Sequence, residues 1–484
     1  MSPRTWLLGF VHALLLAVHG PSSSLASPPR PPNVVLIFCD DLGYGDLGCY
    51  GSKTLKTPHL DRLAKQGVRF TDFYAAQAVC SASRAALLTG CYPNRVGISG
   101  ALDHRARHGL HPDEDTIADR LKSRGYATGM VGKWHLGHLP RFLPTRQGFD
   151  EWFGLPYSND MWPFHPEAKP GTYPPLPLFD GERLVDEDVR PEDQQTLTTR
   201  YTERAVEFIA RHREQPFFLY VAHSMPHVPL YVLPRHQGRS KAGLYGDVLA
   251  EIDDSVGRIV AALDRHRLTD STLVIFASDN GPWLSYGEHA GSSGPLREGK
   301  GTAWEGGVRV PFIARWPGRI PAGQTCREPA MTIDVLPTVC EFTSTPAPPS
   351  PIDGLSLAPL LTGTPGAQSP HVALWFYYNQ NELQALRSGP WKLILPHTYR
   401  TLGNQALAKG GLPARYQQAQ AGLELYRLDA DPGETTDLAS SHPQVLQQLL
   451  ALAEQARGDL GDALTKRAPS GAREPGREPP SATP

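Results

Sequence analysis

Two short apolar runs end in oxygen-bearing side chains. Asn33-Val-Val-Leu-Ile-Phe-Cys39 leads straight into Asp40-Asp41, and Thr272-Leu-Val-Ile-Phe276 runs through Ala-Ser into Asp279-Asn280-Gly281. A run of this length, rich in β-branched residues, reads as a strand buried on both faces. Open α/β sheets place their ligands at the carboxyl ends of such strands. A lone Asp-Asp more often marks a solvated turn, but a second strand ending the same way shifts the reading. Three carboxylates and one amide converging from two strands form a hard, oxygen-only donor set. Such a set suits Ca²⁺ or Mg²⁺ rather than a metal held by thiolate or imidazole.

The stretch Val79-Cys80-Ser81-Ala82-Ser83-Arg84 opens a helix expected to run to about Leu88, with Ser81 or Ser83 as its cap. Cys80 then sits at a helix N-terminus, where the dipole and free amides favour an anion, and Arg84 lies one turn along. A single cysteine is normally a small buried hydrophobe; the company around Cys80 argues otherwise.

These groups need a scaffold, and the periodicity supplies one. Strands expected at 33–39, 68–73, 126–131, 216–222 and 272–278 alternate with helices over 57–67, 115–124, 200–212 and 244–265. That alternation predicts an α/β fold with a mostly parallel sheet covered by helices on both faces. Past about residue 340, Thr345-Pro-Ala-Pro-Pro-Ser-Pro351 reads as a connection into a smaller α+β domain. Its expected strands are 373–378 and 391–395, and a helix spans about 443–457. The expected organisation is a signal peptide at 1–26, a main domain at 27–345, a small-sheet domain at 346–465 and a disordered Pro/Ser/Gly/Arg-rich tail at 466–484.

The leader expectation rests on Arg4, the apolar run Trp6 to Val18 and the small residues Ser22 to Ala26. The run is short for a membrane span, so an exported, soluble mature protein is expected, secreted or periplasmic. No Asn-x-Ser/Thr sequon occurs, which favours a bacterial exported enzyme over a glycosylated lysosomal one without settling it. A formal charge of -2 gives no global signal for nucleic acid or acidic membrane, so any anionic substrate must meet a local cluster of cations. The six cysteines are too few for a disulfide scaffold, and none forms the C-x-x-C pair of a zinc site.

Cys80-Ser-Ala-Ser-Arg84 with Leu88-Thr-Gly90 resembles the signature of the sulfatase family, in which the cysteine is oxidised to formylglycine during export. Gly125-Tyr-Ala-Thr-Gly-Met-Val-Gly-Lys-Trp-His135 is similar to the second family signature. Asp40 to Gly48, Asp279 to Pro282 and Gly299 to Gly307 match as well, in order, and the likeness runs from residue 33 to about 440. It is strongest toward members of the arylsulfatase A type. Two positions depart: Ala82 stands where the family usually has proline, and Cys91 where it usually has arginine.

The resemblance implies an alkaline-phosphatase-like fold and one Ca²⁺ held by Asp40, Asp41, Asp279, Asn280 and the modified residue 80. It also implies a formylglycine-generating enzyme as maturation partner. In the implied mechanism, one hydroxyl of the hydrated formylglycine attacks sulfur, and its second hydroxyl then expels sulfate. A plain serine could form the ester but lacks that second hydroxyl. By the same carry-over Arg84 holds the hydrate, Lys133 binds sulfate and His135 orients or deprotonates the hydrate. Lys133 and His135 alternate onto one face after their strand. His227, after the strand Phe217 to Ala222, would protonate the leaving oxygen, with His223 as second choice, and Lys300 would bridge sulfate and leaving group. Ser158 matches a sulfate-contact serine, while Trp304 and Glu305 are expected to be supports. The implied activity is hydrolysis of aryl sulfates or sulfated sugars. A two-metal phosphoesterase is the nearest alternative, but Lys133, His135 and Lys300 would fill the second metal's place. A sulfated-glycan-binding protein without turnover is the reading if Cys80 stays a thiol.

Overall fold

The computed structural model describes residues 1–2 and 30–478. The expected signal segment, beyond its first two residues, lies outside the described residues. Among the described residues no helix is long and apolar enough to cross a membrane.

The continuous apolar runs become the middle of a ten-stranded sheet. Its spatial order is Gln324–Cys326, Val68–Phe70, Phe312–Arg315, Thr272–Ser278, Asn33–Cys39, Phe217–Ala222, Ala127–Gly132, Glu151–Gly154, Leu178–Asp180 and Arg183–Asp186. The five strands from Thr272–Ser278 to Glu151–Gly154 are mutually parallel. Antiparallel pairs appear toward both edges. Residues alternate along each central strand. Val34, Leu36 and Phe38 pack toward the helices Cys80–Thr89, Ile117–Lys122 and Val335–Phe342. Val35, Ile37 and Cys39 pack toward Pro58–Lys65, Leu197–Arg211 and Gly243–Arg265. Two buried faces explain why these strands read as unbroken apolar runs rather than alternating ones.

Register is what builds the site. Asn33–Cys39 pairs residue for residue with Thr272–Ser278, ending at Cys39 opposite Ser278, so Asp40 and Asp279 emerge side by side. Phe38 pairs with Ala222, and Ala222 with Gly132. The chain therefore leaves four adjacent strands at one level, immediately before Asp40, Lys133, His223 and Asp279.

Two expectations need correction. The run 68–73 is not one strand. It stops at Phe70, where Asp72 turns to accept from Arg309 (2.8 Å) and Arg387 (2.6 Å), and Phe73–Tyr74 pairs separately with Ala330–Met331. The tail expected to be disordered is ordered through residue 478. Arg473 donates to both Glu114 oxygens (2.6 and 2.8 Å), and Gly476–Arg477 pairs with His108–Gly109. Composition hid this, because isolated polar anchors rather than an apolar pattern hold the segment.

The small sheet, Leu374–Tyr378, Glu382–Ser388, Trp391–Ile394 and Glu424–Arg427, packs with the helix Pro443–Leu460 against Tyr74, Ala76 and Trp304. A buried charge network crosses this contact. Lys392 lies 2.9 Å from both Glu305 and Glu434, and Tyr74 donates to Glu305 at 2.8 Å. One lysine serves two carboxylates. Burial opposes ionisation of Glu305, but Lys392, Arg309 and Arg387 outweigh it and hold the group down at about 2. Burial pushes Glu434 up to about 7, with the Glu305 charge adding to it and Lys392 opposing. A folded-state value above the unfolded one means that the fold holds an extra proton between roughly pH 4.5 and 7. Glu434 thus lowers stability as pH rises through that window. Glu434→Gln should flatten this slope and gain roughly 1–3 kcal/mol over wild type at pH 8, measured by urea unfolding across pH 5 to 8. A variant curve parallel to wild type would refute the assignment.

Candidate active site

At the carboxyl ends of the central strands, Asp40, Asp41, Cys80, Arg84, Lys133, His135, Ser158, His227, Asp279, Asn280 and Lys300 are all buried. Asp41 turns out of its strand with φ 62°, which the compact backbone hydrogen bond from its N–H to Asp279 Oδ1 (3.0 Å) holds in place. The Asn280 amide donates to Asp41 Oδ1 at 2.7 Å.

Cys80 is the first residue of the helix Cys80–Thr89, following an extended Val79 that carries no side-chain cap. The expected serine caps are not made. Ser81 Oγ instead accepts from the Leu102 N–H at 2.9 Å, the Ala82 N–H donates to the Gly100 carbonyl at 3.2 Å, and Ser83 Oγ is shielded without a partner. The helix start is thus tied to loop 99–112. Cys80 Sγ lies 3.4 Å from Asp40 Oδ1 and 3.4 Å from Lys300 Nζ, with 2% of its surface exposed. Burial first, then the Asp40 charge, pushes its thiol far up, so the unmodified side chain is no thiolate nucleophile.

Each carboxylate has a cation. Lys133 Nζ pairs with Asp40 Oδ2 and donates to Ser158 Oγ at 3.1 Å. Lys300 Nζ lies 2.7 Å from Asp41 Oδ1. Arg84 reaches Asp279 Oδ2 at 2.9 Å and Asp40 Oδ2 at 3.4 Å, and donates to the Lys133 carbonyl at 3.0 Å. Burial opposes the charge on Asp40, yet Lys133, His227, Arg84 and Lys300 together hold it well below the usual carboxylate range. Asp279 goes the other way, pushed up to about 7 by burial and by the neighbouring Asp40 charge.

The histidines sort themselves by their partners. His227 Nε2 lies 3.6 Å from Asp41 Oδ2, and its Nδ1 bonds the Val228 carbonyl at 2.5 Å. His135 Nε2 bonds the Leu102 carbonyl at 2.8 Å, leaving Nδ1 shielded and free. Burial, then Lys133 and Arg84, push His135 well down, so it is neutral. His223 bonds Ser255 Oγ on the helix Gly243–Arg265 at 3.2 Å and is pushed down to about 4 by burial. Its partner on that helix makes it a packing group.

A metal ion fits here on two observations. Asp40, Asp41, Cys80 and His227 each bring a ligand atom within 4.8 Å of the others, and Asn280 Oδ1 is buried with no hydrogen-bond partner. The raised Asp279 marks a shortage of positive charge that a dication would relieve. Sequence reasoning missed Trp283, directly after Asn280-Gly-Pro. Its ring carries Lys300 Nζ at 4.4 Å and meets His227 edge-on at 5.4 Å. Glu305, expected as a support, anchors the small sheet through Lys392.

A parallel sheet whose strand ends gather acids, cations and a helix-borne cysteine defines a hydrolytic centre for an anionic ester. The chain belongs to the sulfatase family: the model described as Sulfatase matches residues 32–345, and that for the C-terminal region of aryl-sulfatase matches 369–472. It is therefore a sulfatase enzyme. Arylsulfatase A of Homo sapiens is 40% identical over 493 residues, covering 96% of this chain and 92% of the relative. N-acetylgalactosamine-6-sulfatase of Canis lupus familiaris is 37% identical over 482 residues, covering 92% and 90%. Among solved structures, the PsFucS1 sulfatase from Pseudoalteromonas sp. aligns with a TM-score of 0.76 at 28% identity, over 88% of this chain and 91% of that one.

Removing one partner of a fully buried pair leaves the others uncompensated, at about 3–5 kcal/mol. Arg84→Gln should therefore lose that much stability in guanidinium unfolding, since Asp40 and Asp279 share its head group. A loss below about 1 kcal/mol would show that the two lysines re-pair the carboxylates.

Proposed function

We propose that this sulfatase hydrolyses sulfate monoesters with a formylglycine made from Cys80 and one Ca²⁺ held by Asp40, Asp41, Asp279, Asn280 and residue 80. The observation that carries the reading is the close grouping of Cys80 Sγ, the Asp40 carboxylate and the Lys300 ammonium, each contact at 3.4 Å, inside an oxygen-lined pocket. The oxidised residue, as its hydrate, would supply one hydroxyl as nucleophile toward sulfur. Loss of the proton from its second hydroxyl would break the C–O bond to sulfate and leave the aldehyde, which water rehydrates. A calcium ion held by these ligands would supply charge stabilisation.

The chain's own residues do the remaining work. Lys133 and Lys300 rest on Asp40 and Asp41; were these carboxylates to hold a dication, both ammonium groups would be available to the sulfate oxygens, with Ser158 beside Lys133. Sulfate esters carry a single negative charge, and fixed cations stabilise it without proton transfer. Arg84 keeps residue 80 and the strand-end acids in register. With its Nε2–H given to the Leu102 carbonyl, neutral His135 offers Nδ1 as a proton acceptor for the hydrate. His227 donates Nδ1–H to the Val228 carbonyl; burial and then Lys300 push its pKa down while Asp41 and Asp40 oppose them, and a proton taken up at Nε2 would pass to the leaving oxygen. The ester S–O bond breaks and that proton moves to the departing alcohol. A formylglycine-generating enzyme would have to act on Cys80 during export, which agrees with the leader expected at 1–26.

The peptide holding residue 80 should be lighter by the exchange of sulfur for oxygen together with the loss of two hydrogens after co-expression with the oxidising enzyme; an unmodified thiol in active protein would sink the mechanism. Ca²⁺ at a hundredfold over its dissociation constant should add about 2.7 kcal/mol of stability, and Asp41→Asn should shrink that increment. Ca²⁺-independent melting in both proteins would remove the metal assignment. His227→Ala should lower kcat by roughly 10²–10⁴ on a sugar sulfate, with a smaller effect on an aryl sulfate whose leaving group needs no proton.

A further inference from the structure

Among the described residues, Asp160 is a buried carboxylate near the centre that the mechanism does not employ. The segment carrying it is fixed from both sides. Ser158 Oγ accepts from Lys133 at 3.1 Å. The Asn159 amide donates to Gln194 Oε1 (3.0 Å) and to the Pro229 carbonyl (3.4 Å), two residues past His227, and Gln194 returns a hydrogen bond to the Asn159 carbonyl at 3.2 Å. Asp160 follows directly, 8% exposed, and among the described residues its side chain makes no hydrogen bond or ion pair. Its Oδ1 is shielded and has no partner. Burial and Lys300 push His227 down, and the Asp160 charge is the last of the carboxylates opposing them; burial and then Asp160 push the Tyr173 and Tyr286 phenols up.

Asp40, Asp41 and Asp279, buried still more deeply, each have a cation. A shielded carboxylate without donors is costly and calls for a ligand. Trp283 supplies the other wall. It meets His227 at 5.4 Å and Tyr286 at 5.0 Å, and lies under Lys300 Nζ at 4.4 Å. His227 is the group assigned to the leaving oxygen, so the indole borders the leaving group. An acceptor-only carboxylate beside an aromatic face matches a ring that bears hydroxyl donors and a C–H face. A simple aryl group offers the carboxylate nothing, and an acidic sugar would be repelled by it.

Resting on the sulfatase reading above, we propose that Asp160 and Trp283 form the leaving-group subsite and that it takes a neutral or amino sugar. Asp160 accepts from hydroxyls next to the sulfated carbon. A site that hydrogen-bonds a substrate hydroxyl discriminates strongly against analogues lacking it.

The test compares kcat/KM of wild-type enzyme, Asp160→Ala and Asp160→Asn on para-nitrophenyl sulfate and on a panel of galactose, glucose and N-acetylgalactosamine sulfates. The sugar-to-aryl ratio should fall about 10- to 100-fold in Asp160→Ala and less in the near-isosteric Asp160→Asn, which also serves if the alanine variant does not fold. An unchanged ratio in the variants overturns the proposal. So does a wild-type enzyme that cleaves the aryl ester but no sugar sulfate, while leaving the sulfatase reading intact. Wild-type enzyme with oxidised residue 80 that cleaves neither would sink that underlying reading instead.

Discussion

Charge balance in a dry pocket is the constraint on which this structure turns. Asp40, Asp41 and Asp279 stand together at the ends of two paired strands, and unshielded carboxylates at that spacing repel strongly. Lys133, Lys300 and Arg84 answer them one for one, each from a different element. The pocket therefore holds only if the strand Ala127–Gly132, the helix Cys80–Thr89 and the loop after Asn280 all arrive in place. The same oxygens that hold the two lysines are the ones proposed to hold the metal, so under that reading uptake of a cation would leave the ammonium groups free for an anion.

Much of this was legible in the chain because the signals are local. A buried parallel strand writes itself as an apolar run, and its end is marked by the first polar residue, so Asp40 and Asp279 could be placed before any coordinates. Lys133 and His135 followed from a motif close to their strand. What stayed hidden depends on who meets whom. His227 and His223 are both strand-end histidines four residues apart, and only the bond from His223 to Ser255 separates them. The serines after Cys80 look like caps by type, yet the loop carrying Gly100 and Leu102 takes up the helix start instead. The ordered tail hid for a related reason: polar residues that would suit a solvated end find Glu114 and the edge at His108–Gly109.

The small sheet is more than an appendage. Lys392 on Trp391–Ile394 meets Glu305, which directly follows Trp304, and Trp304 is covered by Arg297 at 3.5 Å and by Tyr399 and Tyr426. Arg400 bonds the Lys300 carbonyl at 3.1 Å through Nε. The backbone that carries the Lys300 ammonium is thus held by the neighbouring strand His397–Thr401, which pairs with Gln417–Ala421 outside the small sheet.

Asp41 and Asn280, which touch at 2.7 Å, lie 239 positions apart in the chain. Contacts of that separation form late, since a large loop must close before they are rewarded. Until the strand Thr272–Ser278 docks beside Asn33–Cys39, the segment after it cannot bring Lys300 against the Cys80 thiol. Sheet assembly thus acts as a clock: any chemistry on that sulfur by another protein runs in competition with the chain's own folding rate.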